Sequence, residues 1–231
     1  MTTINFEPNT LHEQIVNTKG EVLFKSSVPM TATDIFNAAI DAGADLTNAY
    51  FERWHFEGVI GPENGEFSIY ELTMYKCHIR NCTLQGLTLV RAKINCTNIY
   101  NTEIIQCRIP RCGMTLTNLV KVVAHCTTFE RLLYSNGKIK NSKFIDCNFY
   151  YARFFTEHID DDVMFSESHL FAAGFQTIPL SLTGSSMETP KEYMIDPNVR
   201  YPDAWTAIFH NKISQREWAE KMKNATQLEC V

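Results

Sequence analysis

The chain has 231 residues, of which 45% are hydrophobic and 20% charged, and its net charge is −5. This composition suits one sizeable domain with a buried core and excludes a disordered or collagen-like protein, while eight cysteines without close pairs favour a reducing compartment over a disulfide framework. No run approaches the roughly 18 apolar residues of a membrane helix and the first residues do not resemble a signal peptide, so we expect a cytoplasmic protein with no membrane contact.

Residues 1–43 are predicted to form a β-hairpin followed by a helix. The segment from Ile15 to Phe24 carries apolar residues on both sides of a polar turn, which is typical of two paired strands. Thr31 is a suitable N-cap for a helix that ends at Gly43. The apolar face of this helix is predicted to consist of Ile35, Phe36, Ala39 and Ile40. We expect this unit to cover the N-terminal end of the domain that follows it.

Residues 44–176 repeat with a period of five. Every fifth residue from Ile69 to Met164 is hydrophobic, which makes twenty in succession. The residue two positions before each of these is uncharged from Cys77 to Ala152, and most of these residues are small. All thirteen charged residues between Lys76 and Lys143 fall on the other three positions. Since helices repeat at 3.6 residues and strands at 2, neither element explains the pattern.

Two inward and three outward residues per pentad are typical of a β-solenoid in which four pentads complete a coil of about 20 residues. The pattern resembles that of the pentapeptide-repeat family, whose motif is A-(D/N)-L-x-x. The matching segments are Ala44-Asp45-Leu46 and, in looser form, Asn148-Phe149 and Ala152-Arg153-Phe154. The resemblance implies an all-β solenoid, namely a right-handed quadrilateral β-helix over residues 44–176.

The repeat frame is interrupted twice. Leu46, Phe51 and Phe56 hold one frame, and residues 61–65 insert a loop before the main frame begins. Near residues 160–162 the frame slips by one position, and Phe165 is the first inward residue of the new frame. We expect six to seven coils in all.

Residues 177–231 contain no repeat and are predicted to be an extended connection followed by two short helices. One helix lies near residues 203–210 and the other starts at Ser214, where Ser214 and Glu217 form a capping box. Their apolar faces are supplied by Trp205, Phe209, Trp218 and Met222. These helices either cover the last coil or join two rods end to end into a homodimer.

Candidate catalytic and metal-binding residues are sparse. The chain has no P-loop, GxGxxG, HExxH or GxSxG motif, and its seven histidines are scattered. The C-x₄-C pairs Cys77/Cys82 and Cys107/Cys112 follow from the repeat, so we interpret them as buried packing thiols rather than zinc ligands. Residues 160–162 are three consecutive aspartates that point in different directions and favour a solvated kink. We therefore predict a non-enzymatic protein with no metal and no cofactor.

Charge is distributed unevenly along the chain. Residues 1–75 carry a net charge of −8, residues 76–143 carry +9 and residues 144–231 carry −6. Because residues twenty apart stack in the predicted solenoid, Arg91, Arg111 and Arg131 fall into one corner column, with Lys93 and Arg108 on the adjoining sides. This arginine corner is either a solvated basic edge or an anion site for phosphates, a nucleotide or a nucleic-acid backbone.

The resemblance also implies a class of partner. Well-understood pentapeptide-repeat proteins bind DNA gyrase or topoisomerase IV with acidic rods that imitate duplex DNA, but the central coils here have the opposite sign. The order of hairpin, helix and residues 42–46 resembles the start of pentapeptide-repeat proteins from bacteriophages. Our leading hypothesis is a phage-type module that docks on a host enzyme or defence factor. The alternatives are an anion-binding or sequestering protein and a structural assembly component.

Overall fold

The computed structural model describes residues 10–156, 158–160, 162–166, 168 and 173–175. These residues form a β-solenoid of about six turns, mostly strands with one helix, so the predicted fold class is confirmed. The handedness and the domain boundaries at residues 43 and 176 stay predictions. The predicted C-terminal helices, with Trp205, Phe209, Trp218 and Met222, lie outside the described residues.

An antiparallel hairpin and a helix precede the coils. The hairpin pairs β1 (His12–Asn17) with β2 (Val22–Met30), and the helix is α1 (Ala32–Asp41). Thr31 caps α1, since its side chain accepts a hydrogen bond from the Asp34 backbone N–H at 3.1 Å. Gly43 has a φ of 63° and ends the helix with a bond from its N–H to the Ile40 carbonyl. The four residues predicted for the apolar face of α1 are all buried.

The coil strands form three parallel stacks. The first stack contains β3 (Ala49–Glu52), β6 (Thr73–Tyr75), β9 (Lys93–Asn95), β11 (Gly113–Thr115), β13 (Leu133–Ser135), β16 (Arg153–Phe155) and β18 (Gly174–Phe175). The hairpin strand β1 extends this sheet, since it pairs antiparallel with β3. The second contains β4 (His55–Ile60), β7 (His78–Gln85), β10 (Asn98–Ile105), β12 (Asn118–His125), β14 (Lys138–Lys140), β15 (Lys143–Ile145) and β17 (Met164–Ser166). The third pairs β5 (Phe67–Tyr70) with β8 (Leu87–Val90), and single bridges extend it through Arg108, Thr128 and Asn148.

The partners in neighbouring coils are twenty residues apart, as the pentad count predicts. Met74 pairs with Ile94, Ile94 with Met114, and Met114 with Tyr134. Nineteen of the twenty residues in the predicted hydrophobic series are buried, and so are all sixteen at the second inward position. The exception is Met164, which is half-buried because the frame has already slipped there.

Both interruptions of the frame occur where the sequence predicts them, with one correction. Phe51 pairs with Met74 across 23 residues, which reflects the inserted loop, and Phe144 pairs with Phe165 across 21 residues, which reflects the slip. The correction concerns Ile60, which is buried and pairs with Leu84 although it lies four residues after Phe56 instead of five. Relative to the pentad count, the first coil therefore lacks one residue between Phe56 and Ile60 and has additional residues in the loop that follows.

Each pentad ends in a residue with left-handed backbone geometry. From Glu71 to Tyr151 every fifth residue has a φ between 47° and 58°, Gly86 included. The N–H groups of most of these corner residues bond to carbonyls of the next coil; that of Cys96, for example, bonds to the Thr115 carbonyl at 2.9 Å. This conformation is costly for residues other than Gly and Asn, so bonds between coils must hold it in place. The corner geometry gives each coil four sides.

No helix in the described part of the chain is long and apolar enough to span a membrane.

Candidate functional site: an arginine corner and its cleft

The arginine corner is built by the backbone of four successive coils. Arg91, Arg111 and Arg131 have φ values of 56°, 55° and 54°, and Glu71 occupies the same corner one coil earlier with 58°. The Arg91 N–H bonds to the Pro110 carbonyl at 3.0 Å and the Arg111 N–H bonds to the Glu130 carbonyl at 2.7 Å. Neighbouring coils lie about 4.8 Å apart, so the structure stacks the three arginines as the sequence predicts.

Carboxylates neutralise the two ends of this corner better than its middle. Arg91 Nη1 lies 3.6 Å from Glu71 Oε1, and Arg131 Nε lies 3.6 Å from Glu130 Oε1. Both pairs are exposed, so each contributes little to stability. Arg108 and Arg111 form no ion pair with any residue in the described ranges. Along this corner, the arginines without a carboxylate partner among the described residues therefore lie on the coil that contains Arg108 and Arg111.

An open cleft of about 480 Å³ lies at this point. Its walls include Arg91, Arg108 and Arg111, together with Tyr70, Val90 and Pro110, and Glu71 and Glu130 also line it. Three of the five predicted anion-binding residues thus meet in one cleft. Lys93 is exposed on β9 around the corner, and Arg131 turns to Glu130, so neither of these two lines the cleft.

A second basic edge was missed by the sequence reasoning. It consists of Arg80, Lys121, Lys138, Lys140 and Lys143. The Tyr100 ring lies 5.7 Å from the Arg80 guanidinium and 5.5 Å from the Lys121 ammonium. This edge surrounds the corner of Asn101 and Lys121, two pentads from the arginine corner and hence on the opposite corner of a four-sided coil. Reading every twentieth residue from Arg80 gives Tyr100, Val120 and Lys140, a signal that could have revealed it.

The cysteines of the two C-x₄-C pairs lie in the core, as predicted. Cys77, Cys82, Cys107 and Cys112 are at most 3% exposed. Burial raises the pKa of the Cys77 and Cys107 thiols to about 11 and that of Cys82 and Cys112 to about 12. The Cys77 Sγ donates to the Phe51 carbonyl at 3.3 Å. These protonated thiols fill the small inward positions and are poor nucleophiles and poor metal ligands.

The aspartates at the frame slip contact neighbouring side chains and backbone. Asp160 Oδ2 lies 2.7 Å from Lys140 Nζ, and this bond raises the pKa of the lysine. Asp162 Oδ1 accepts a hydrogen bond from the Asn141 backbone N–H at 2.9 Å. Within the described ranges no three His, Cys, Asp or Glu side chains are grouped to hold a metal ion. That the whole chain binds no metal and no cofactor stays a prediction.

Asn81 and Asn101 form a short column of side-chain amides along one corner of the solenoid. Asn101 Nδ2 donates to Asn81 Oδ1 at 2.9 Å, and Asn81 Nδ2 donates to Glu57 Oε1 at 2.9 Å. Lys121 interrupts the column before Asn141, as the sequence indicates. These amides bond along the solenoid axis, so structure alone explains them.

No protein-family profile and no curated protein matches the chain. Solved structures similar to this one include a pentapeptide-repeat protein. This protein is HetL from the cyanobacterium Nostoc sp. strain PCC 7120, which is involved in regulating heterocyst differentiation. The two chains are 10% identical, the match covers 63% of this chain and 84% of HetL, and the TM-score is 0.25.

Two trypsin-treated variants of QnrB1, a plasmid-mediated fluoroquinolone resistance protein, are also similar. Their identities are 11% and 9%, they cover 55% and 53% of this chain and 72% and 83% of QnrB1, and their TM-scores are 0.20 and 0.19. The fold assignment for this chain rests on its own twenty-residue register and strand pairing.

Proposed function

We propose that the protein is a non-enzymatic binding module that docks on another protein through its arginine corner. The docking region, which we name the corner surface, consists of Tyr70, Val90, Arg91, Arg108, Pro110 and Arg111. The observation that carries the proposal is that Arg108 and Arg111 present guanidinium groups without a carboxylate partner among the described residues, beside the exposed Tyr70. Arginine and tyrosine are enriched among the residues that contribute most to protein–protein affinity.

The partner that we propose is a host enzyme or defence factor, modulated by a phage-type protein. The support is residues 42–46, which with the preceding hairpin and helix resemble the start of pentapeptide-repeat proteins from bacteriophages. A DNA-processing enzyme such as a topoisomerase is the precedent that the resemblance of the repeat to the pentapeptide-repeat family offers. Because residues 76–143 carry a net charge of +9, the rod does not present the charge of DNA along its middle. The contacted region of the partner should therefore be acidic.

We propose no catalytic step, because the buried thiols and three of the histidine rings serve packing in the described residues. The buried thiols are held protonated by desolvation. The His12 ring stacks on Trp54 with 3.8 Å between centroids, and the His55 and His78 rings stack at 6.3 Å. These groups support the fold and do not converge on the cleft.

Cross-linking mass spectrometry of the protein captured from cells that make it tests this function. Lys93 lies beside the corner surface, so its amine should cross-link to the partner. The double variant Arg108→Glu/Arg111→Glu should lose the partner because two attractive charges become repulsive. The matched control is Lys121→Glu/Lys138→Glu, which makes the same change in net charge on the second basic edge and should retain the partner. Equal capture by the wild type and the corner variant would refute the proposal.

We also propose that two rods can join end to end through the C-terminal residues Trp205, Phe209, Trp218 and Met222, and that the protein acts in the cytoplasm. Sedimentation at micromolar concentration tests the first point. A chain truncated after residue 176 should then sediment as a monomer, whereas the full chain should sediment as a dimer. A monomeric full chain would contradict this part of the proposal.

A further inference from the structure

We infer that the cleft at the arginine corner binds a nucleoside polyphosphate. This inference concerns the corner surface proposed above but needs no partner protein. Three arginines line the cleft, namely Arg91, which also pairs with Glu71, and Arg108 and Arg111, which have no carboxylate partner in the described ranges. The cleft volume of about 480 Å³ is within the range of small-ligand sites. Guanidinium groups bind phosphate oxygens through paired, charge-assisted hydrogen bonds.

The cleft is positioned by paired backbone rather than by free loops. The Arg108 N–H donates to the Leu87 carbonyl at 2.8 Å, and the Arg108 carbonyl accepts from the Leu89 N–H at 2.7 Å. The Arg111 N–H donates to the Glu130 carbonyl at 2.7 Å. The two arginines therefore project from fixed points of one coil, three residues apart. A phosphate group bound by both side chains would require no change in the backbone.

The charges around the cleft favour a small anion over a polymer. Glu71 lines one end and Glu130 the other, three coil spacings or about 14 Å apart along the axis. A nucleic-acid backbone that followed the arginine column would meet one carboxylate and then the other. A ligand with its phosphates near Arg108 and Arg111 fits between them, and the carboxylates can accept hydrogen bonds from ribose hydroxyl groups or a base amino group.

An apolar strip beside the arginines supplies a place for the base. Tyr70, Val90 and Pro110 occupy the same position in three successive coils, with the arginine column on one side and Arg108 on the other. Tyr70 is 51% exposed, so its ring is open to a ligand. Bases stack well on aromatic rings, and such stacking tolerates different bases. The geometry thus combines a phosphate end and a base end in one cleft.

Isothermal titration of the purified full chain at low salt, with ATP, tripolyphosphate and adenosine as separate probes, tests the inference. ATP should bind more tightly than tripolyphosphate, because only ATP can use the apolar strip. Arg108→Ala/Arg111→Ala should weaken ATP binding by roughly tenfold or more. Tyr70→Ala should weaken ATP binding several-fold and leave tripolyphosphate binding unchanged. The control Lys121→Ala/Lys138→Ala should stay within about twofold of the wild type, because it removes two charges from the opposite edge.

Three results would overturn the inference. The first is that ATP does not bind at millimolar concentration, and the second is that the corner and control variants weaken ATP binding equally. The third is that single-stranded DNA displaces ATP when the concentration of DNA phosphate is far below that of ATP phosphate. If ATP and tripolyphosphate bind equally and Tyr70→Ala changes neither affinity, the cleft does not recognise the nucleoside, and this part of the inference is wrong. Circular dichroism of each variant shows whether its fold is intact. The titration contains no partner protein, so absence of ATP binding would contradict the inference but not the proposed protein docking. Conversely, loss of the captured partner in the cross-linking experiment would not contradict nucleotide binding.

Discussion

Tyr134 and Gly137 fit together as a pair within the core. Tyr134 is fully buried at the inward position that the three preceding coils fill with the aliphatic residues Met74, Ile94 and Met114. Its hydroxyl donates to the Thr117 carbonyl at 2.6 Å, and burial raises its pKa. Gly137 occupies the small inward position of the next side, and a Cβ there would overlap both the Tyr134 hydroxyl and the Thr117 carbonyl. The glycine is thus required by the close approach of the Thr117 carbonyl and the Tyr134 side chain, and not by its own φ, which is not positive.

Gly137→Ala should therefore destabilise the protein. The added methyl group must displace a backbone carbonyl or a buried ring, and such overpacking costs about 1–3 kcal/mol. Urea unfolding followed by circular dichroism measures the change. Gly113→Ala is the matched control, because a Cβ at Gly113 meets no atom within 4 Å, and it should stay within about 0.5 kcal/mol of the wild type. Similar losses in both variants would show that the overlap at Gly137 is not the cause.

Strand β1 contacts the first coil partly through a titratable ring. His12 of β1 stacks on Trp54, and burial lowers the pKa of His12. Burial, and to a lesser degree the neighbouring His55, also lowers the pKa of His78. At mildly acidic pH, both histidines therefore bind fewer protons in the folded state than in the unfolded state. Stability must then rise with pH in this range.

The free energy of unfolding should be highest above the ordinary histidine pKa of 6.5 and should fall as the pH drops below it toward the lowered values. Urea titrations between pH 7.5 and about 5.5, above the range in which carboxylates titrate, measure this slope. His12→Phe keeps a ring on Trp54 and removes one titrating group, so its slope should be smaller. An identical slope in wild type and variant would exclude His12 as a source.

The sequence predicts the coils well because buried positions recur with a fixed period. It predicts the contacts between surface side chains less well, because exposed positions carry no periodic pattern of burial. The pentad rule requires only that a position face inward or outward, and that suffices to place Ile94 and Cys112. The rule does not predict the inward position of Ile60, because a one-residue deletion next to an insertion leaves no periodic signal. The rule places Arg108 and Arg131 correctly on the surface. It does not reveal that Arg131 turns to Glu130 while Arg108 lines a cleft, because those choices depend on side-chain rotamers.

Within the described part of the solenoid, the buried aromatic side chains are concentrated in the first and the last coils. Phe36, Phe51 and Phe56 pack together at the N-terminal end. Phe149 lies at the centre of the other cluster, stacked on Phe129 with 4.9 Å between centroids. Its other ring contacts, at 5.3 to 5.7 Å, are with Phe144, Phe154 and Phe165. The middle coils contain mainly aliphatic residues, cysteine and threonine. Since each coil contacts only its neighbours, the stability of each end depends mostly on its own cluster.

Phe149→Ala tests this local stability. Removal of a fully buried phenylalanine should cost about 3–5 kcal/mol, and in a stacked array this cost should appear first as opening of the nearby coils. Hydrogen exchange measured by mass spectrometry should show faster exchange in β13 and β16 while β7 and β10 keep their protection. Phe155→Ala, which truncates a ring that is 40% exposed on the same coil, should change exchange little. Uniform loss of protection from β3 to β16 would mean instead that the coils unfold as one cooperative unit.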